Sequence, residues 1–180
     1  HFDLMVAHSL QVGRTDLGSA YIQNFPTDNI YEIDGGTLNP AVTGSAYENA
    51  LQSFFGRLNY NYDSKYLLEV NIRHDGSSRM PKKHRYGTFP SFSAGWNVDR
   101  ESFMQDVDFI SALKLRGSWG RLGNQEIGNY AFSQALQVGG NYYFGDALST
   151  GLRKVNLAND NIRWETTEMT DLGIDVTLLD

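Results

Sequence analysis

The chain has no cysteine among its 180 residues. A disulfide framework, a thiolate zinc site and a cysteine nucleophile are therefore excluded. This absence fits a bacterial envelope protein without requiring one. Also missing is any run of about 18 apolar residues, so no helix crosses a membrane. A membrane protein built of strands stays open, because alternating strands average out in a hydropathy window. Positive charge is in short supply: 15 Lys and Arg face 21 Asp and Glu, for a net charge of -6. Such an acidic chain lacks the footprint of a general nucleic-acid binder. What is present is strand-forming and turn-forming: 10 Tyr, 10 Phe and 18 Gly, with 41% hydrophobic and 13% aromatic content. That composition excludes disorder. The length suits one domain. The chain begins at His1 and stops at Asp180 inside an apolar alternation, as expected of a mature fragment of a larger protein.

The organising signal is a period of two. Residues 53–76 read SFFGRLNYNYDSKYLLEVNIRHDG. Phe54, Gly56, Leu58, Tyr60 and Tyr62, then Tyr66, Leu68, Val70 and Ile72, alternate with a set that is mostly polar. Pairing Tyr62 with Tyr66 across Asp63-Ser64-Lys65 sets Leu58 opposite Val70 and Arg57 opposite Asn71. A three-residue loop thus keeps the apolar residues on one face, whereas a two-residue loop would mix the faces. Each arm runs for about ten residues, the length a tilted strand needs to cross a bilayer, while soluble strands are more often about five or six. Tyr60, Tyr62 and Tyr66 gather at the turn end, where an aromatic girdle would meet a membrane–water interface.

The same alternation recurs in YGTFPSFSAGWNV, where Phe89 is the exception, in LKLRGSWG, at Leu172–Leu178, and more weakly at Phe2–Val6. About six strands are predicted. Long polar links are expected at 10–50, 74–86 and 121–163, with Asp75-Gly76 read as a turn. Short links alternate with them, and ESFMQDVDFIS in the second has helical spacing and a candidate Ser102–Gln105 capping box. Trp96, Trp119 and Trp164 are expected near strand ends, in a girdle. Long loops at one end and short turns at the other are the plan of an outer-membrane barrel with long extracellular loops and short periplasmic turns. About six strands cannot close a wide barrel, so the expected fold is all-β: an antiparallel transmembrane β-barrel segment, one arc of a larger wall.

Taken together and in order, FFGRLNYNYDSKYLLEVNIRHDGSSR, YGTFPSFSAGWNV, LKLRGSWGRLGNQEIGNY and NIRWETTEMTDLGID closely resemble the barrel of SusC/RagA-type TonB-dependent transporters of Bacteroidetes. The match covers about residues 50–180, and 1–50, including FPTDNIY, fits in character. The resemblance implies a barrel of about 22 strands in the outer membrane, plugged by an N-terminal domain. It also implies import of glycans or peptides, a SusD-like surface lipoprotein as cap, and energy from TonB. Residues 1–180 would then be part of one barrel domain, with the plug and the remaining strands elsewhere. The rival from another class is a soluble carbohydrate-binding β-sandwich whose apolar faces pack on each other; a siderophore receptor is the rival within the transporter class.

No chemistry is expected of this segment, nor any cofactor or metal. Arg57, Asn59, Asn61, Glu69, Asn71, Arg73, Lys114 and Arg116 are the expected lumen-facing residues. Asn141, Tyr142, Tyr143 and Phe144, in the longest loop, are the substrate-binding candidates, because aromatic rings stack on sugars or on a partner. Loop self-packing is the plain alternative. The basic run Arg79, Lys82, Lys83, His84 and Arg85 would attract anions or lipopolysaccharide phosphates, against the plainer reading of a solvated loop tip. His74 and Asp75, as strand neighbours, point to opposite faces and make no dyad. Glu165, Asp171 and Asp175 share a face that Glu168 does not, and nothing supplies the sugar cleft a hydrolytic pair needs. Asn159, Asp160 and Asn161 have a faint calcium-loop look without its ordered ligand series.

Overall fold

The computed structural model describes residues 1–178. The chain runs through β1 (Phe2–Gln23), β2 (Leu38–Tyr62), β3 (Tyr66–Ser77), β4 (Tyr86–Asn97) and β5 (Ile110–Asn124). Four short strands follow, β6 (Leu136–Val138), β7 (Tyr142–Phe144), β8 (Ala147–Ser149) and β9 (Leu152–Lys154), and then β10 (Glu165–Leu178). The six long strands form one antiparallel sheet in the order β1-β2-β3-β4-β5-β10. The short ones make two two-stranded hairpins, β6-β9 and β7-β8.

The hairpin register is the one that parity predicts. Tyr62 pairs with Tyr66, Leu58 with Val70 and Arg57 with Asn71. Asp63 and Ser64 both sit at positive φ, 52° and 51°. The Ser64 N–H donates to Asn61 Oδ1 at 2.8 Å, and Asn97 Nδ2 donates to the Ser64 carbonyl at 2.6 Å. The side-chain bond from Asn61 closes over the loop to the residue three positions on, which offsets the strain of left-handed backbone at residues that are not glycine.

Three expectations about the connections are corrected. The 10–50 link is mostly strand: β1 and β2 stay paired as far as Gln23 and Leu38, leaving 24–37 as the loop. Past Val12 and Ala50 the apolar residues no longer keep to one face: Leu17, Tyr21 and Tyr47 lie on one and Val42 on the other, among polar pairs such as Arg14 opposite Glu48 and Ser19 opposite Thr43. With water on both sides the period-two signal fades, although the backbone ladder continues. Asp75-Gly76 is likewise strand, the last stretch of pairing in β3. Asp75 is buried and holds Arg73 at 3.2 Å, and Gly76 leaves room for the Tyr86 ring to lie flat across it. The 121–163 link is shortened by β5 and contains both small hairpins, whose three-residue strands are too short to show a period.

ESFMQDVDFIS forms no α-helix. Val98–Arg100 and Ser102–Met104 are single 3₁₀ turns, and no side chain caps the second. Glu101 between them is tied to the sheet instead. Its carboxylate accepts the Tyr66 hydroxyl at 2.6 Å, Trp96 Nε1 at 3.1 Å and Lys65 Nζ at 3.4 Å. These donors anchor the segment to the end of β3 and β4, and buried Val98 adds an apolar hold.

The sheet is a single layer. Among the described residues no second sheet covers its apolar face, where Val6 is 79% and Leu172 83% exposed. The sandwich expectation is overturned, because it requires these faces packed on each other. A small dry core lies at the long-loop end. Pro90 has no N–H to give β5, and the β4–β5 ladder stops at Ser91 opposite Gly120. Beyond that point Phe89 turns to the polar face and is buried against Gly123, with the Trp164 ring edge-on at 5.2 Å. Trp164 Nε1 donates to the Arg85 carbonyl at 3.0 Å, and Met80 is fully buried in the adjoining loop.

Gly123→Val should displace the Phe89 ring and cost about 1–3 kcal/mol as an overpacked site. Tryptophan emission of the full-length barrel should shift red at Trp164. The hydrogen bonds from Tyr66, then Trp96, and the charge of Lys65 hold Glu101 below its ordinary pKa of 4.5. Its contribution is therefore present above that value and lost as pH falls through the lower folded one. Glu101→Gln should lower the melting temperature at pH 7 in detergent and flatten the acid limb of stability below about pH 4.5.

Candidate functional site: the two faces of the sheet

Register, not proximity in sequence, assembles the two faces. One row across the sheet reads Leu4, Leu58, Val70, Phe92 and Trp119, and the next reads Phe2, Tyr60, Leu68, Ala94, Gly117 and Leu172. At the turn end Tyr62, Tyr66, Trp96, Leu115 and Ile174 line up. The aromatic girdle therefore contains Trp96 but not the other two tryptophans. Trp119 sits mid-strand, its ring 5.5 Å from Phe92, and Trp164 belongs to the dry core on the opposite face.

The apolar band runs diagonally. Its charged border lies at Arg14, Asp16 and Glu48 on β1–β2 but several residues lower on β5–β10, where Arg121 pairs with Glu168. At the other end, Leu113 and Val176 extend the band below the girdle row. A band that stays level while the strands lean would have this slant. Between the borders His8, Phe54, His74 and Thr88 make a row. His74 stacks on Tyr86 at 5.1 Å and bonds Thr88 at 2.9 Å.

All eight expected lumen residues share the opposite face. Arg57 Nε donates to Asn71 Oδ1 at 2.8 Å, and Asn71 Nδ2 to Glu69 Oε1 at 2.8 Å. Arg73 joins Asp75 and lies over the Phe55 ring at 5.9 Å. Arg116 spans Asp175 at 3.2 Å and Asp171 at 3.5 Å. Asn61 is committed to its turn, as above. A depression of about 610 Å³ is lined by Asn59, Asn61, Glu69, Ser93, Lys114 and Arg116, among others. Apart from Arg73 with buried Asp75, these pairs are largely exposed, so each contributes about 0–1 kcal/mol to stability. Their consequence is positional: a fixed mosaic of donors and acceptors over a wet surface.

The loop candidates are placed elsewhere. Tyr142–Phe144 are β7, joined to β8 through Gly145 at φ 64°. Glycine at the first of two central residues, in that conformation, is the turn that matches strand twist. The three aromatics are exposed, and Tyr142 and Phe144 share a face with their rings 4.9 Å apart. Of the acidic residues, Asp171 and Asp175 share Arg116, while Glu168 holds Arg121 on the other face. Asn159 Oδ1 accepts the Asn161 N–H at 3.0 Å, and Asn161 Oδ1 accepts Lys83 Nζ at 3.1 Å, so these side chains build the loop. Sequence reasoning missed the Glu101 anchor and the Phe89–Trp164 contact. Phe89's break in the alternation was the one available signal.

Comparison with known proteins gives a consistent picture. The family described as TonB dependent receptor-like, beta-barrel, matches residues 1–180. TonB-dependent receptor SusC of Bacteroides thetaiotaomicron is 42% identical over 76% of this chain and 14% of its own length. TonB-dependent receptor P3 of Formosa agariphila is 34% identical over 100% of this chain and 18% of its own. Among solved structures, the RagAB peptide transporter superposes with a TM-score of 0.83 at 27% identity, covering 98% of this chain and 20% of that one. The RagAB peptide importer in the open-open state gives 0.85. The chain thus spans a fifth or less of the relatives it matches. It belongs to the TonB-dependent receptor β-barrel family, as a SusC/RagA-type wall segment of the bacterial outer membrane.

Proposed function

We propose that this segment serves TonB-dependent active import of nutrients, glycan oligosaccharides or peptides, across the outer membrane. The apolar face meets lipid and the polar face lines the lumen. The 180 residues form part of one barrel domain whose plug and remaining strands lie elsewhere in the protein. Energy comes through TonB, a SusD-like lipoprotein caps the extracellular side, and the wall performs no catalysis of its own. The observation that carries this reading is the single-layered sheet, which leaves one whole apolar face uncovered and gathers Arg57, Asn71, Glu69, Arg116 and their partners on the other. A soluble protein does not leave so broad a patch open. The SusC likeness supports the class, and the likeness to RagAB, a peptide transporter, supports peptide as one cargo. The exposure of the Tyr142, Tyr143 and Phe144 rings supports a stacking role for them on a sugar or a partner.

Two outcomes follow for the full-length transporter. Val70→Arg, at the middle of the apolar band, should cost about 2–4 kcal/mol of folding stability in lipid vesicles. Glu69→Lys, next to it on the polar face, should leave folding intact and change relative uptake rates among cargoes. Uptake of labelled oligosaccharides and peptides by a strain carrying the transporter, compared with a deletion strain, tests the import reading. Equal uptake of both in the two strains, with ferric chelates entering only when the gene is present, would replace it with a siderophore receptor.

A further inference from the structure

We propose that the loop between β3 and β4, together with Arg163, forms a binding site for a phosphate-bearing anion at the long-loop end of the wall. Arg79, Lys82, Lys83, His84 and Arg85 lie on this loop, and Arg163 comes from the segment leading into β10. The chain is acidic, and six of its other cations, Arg14, Arg57, Lys65, Arg73, Arg116 and Arg121, hold carboxylates. Among the described residues no carboxylate comes within 4.0 Å of the five cationic Lys and Arg side chains in this cluster. Like charges gathered without a counter-charge are costly, and an anion relieves that cost.

The cluster is held, not loose. Lys82–His84 is a 3₁₀ turn whose His84 N–H donates to the Pro81 carbonyl at 2.9 Å. The Arg85 carbonyl accepts both the Ser77 N–H at 3.1 Å and Trp164 Nε1 at 3.0 Å. Lys83 Nζ reaches Asn161 at 3.1 Å, and Met80 is fully buried. A loop already ordered loses little further entropy when it binds. Arg85 Nε is shielded from solvent and has no acceptor within the chain, so this guanidinium keeps hydrogen-bonding capacity that no protein group uses. The His84 imidazole is held below its ordinary pKa by desolvation and then by the charges of Arg163 and Lys83, so cations from both segments bear on one point. Guanidinium, ammonium and imidazole donors drawn from two segments suit an oxyanion carrying more than one charge.

Two sources supply that chemistry: a lipid headgroup phosphate of the outer leaflet, or a free phosphorylated solute reaching the barrel mouth. The test uses the full-length transporter in detergent and a Lys82→Gln/Lys83→Gln/Arg163→Gln variant, whose fold is checked by gel heat-modifiability. Isothermal titration with inorganic phosphate, against chloride at matched ionic strength, should give binding to the native protein. The variant should bind on the order of tenfold more weakly. In a second arm, lipid A co-purifying with each protein is measured by mass spectrometry. Loss of lipid A in the variant assigns the site to the headgroup, and phosphate binding without any such loss assigns it to a solute. If the well-folded variant matches the native protein in both arms, the proposal is wrong.

Discussion

A slip of one residue in any of the five long ladders would exchange the two faces of the sheet. Everything else about this wall depends on that register. It places Leu58 beside Val70 and Phe92, and Arg57 beside Asn71, so that each face has one solvent. The turn at Asp63-Ser64-Lys65 holds the register at one end through Asn61 and Asn97. Glu101, accepting from Tyr66, Trp96 and Lys65, holds the next turn against the same edge. Backbone hydrogen bonding is thereby completed strand to strand, which a bilayer demands of anything that crosses it.

The two ends of the wall are built differently. At the turn end the contacts are between neighbouring strands and turns, the Tyr62, Tyr66 and Trp96 rings beside the polar anchors of Glu101 and Asn97. At the loop end the β1–β2 hairpin continues past the charged border at Arg14 and Glu48, while β4 and β5 separate above Pro90. That separation makes room for Phe89, Trp164 and buried Met80, and so for a loop rigid enough to display Lys82, Lys83 and Arg85 in fixed positions.

Much of this wall is legible in its residues alone. The parity of residues 53–73 yields the hairpin, its loop length and both faces, because a strand with unlike surroundings must alternate. The ordered motifs point to the family. The extent of the β1–β2 hairpin is not legible, because water on both sides erases the alternation while the ladder persists. Asp75-Gly76 has the composition of a turn, yet the ion pair with Arg73 and the Tyr86 ring hold it extended. The helical spacing of Phe103, Val107 and Ile110 loses to the anchoring of Glu101 at the sheet end.

By itself the sequence determined which residues share a strand face, roughly how many strands there are, and the kind of barrel they belong to, because period-two alternation is a local property of the backbone. Only the tertiary structure decided which cations pair across strands, which tryptophans join the girdle and which loop residues are buried. Arg116 meets Asp171 and Asp175, and Trp164 meets Phe89 and Arg85, through contacts between residues more than fifty positions apart. Such contacts are set by the stagger of neighbouring strands and the folding of loops over them, and no local pattern encodes either.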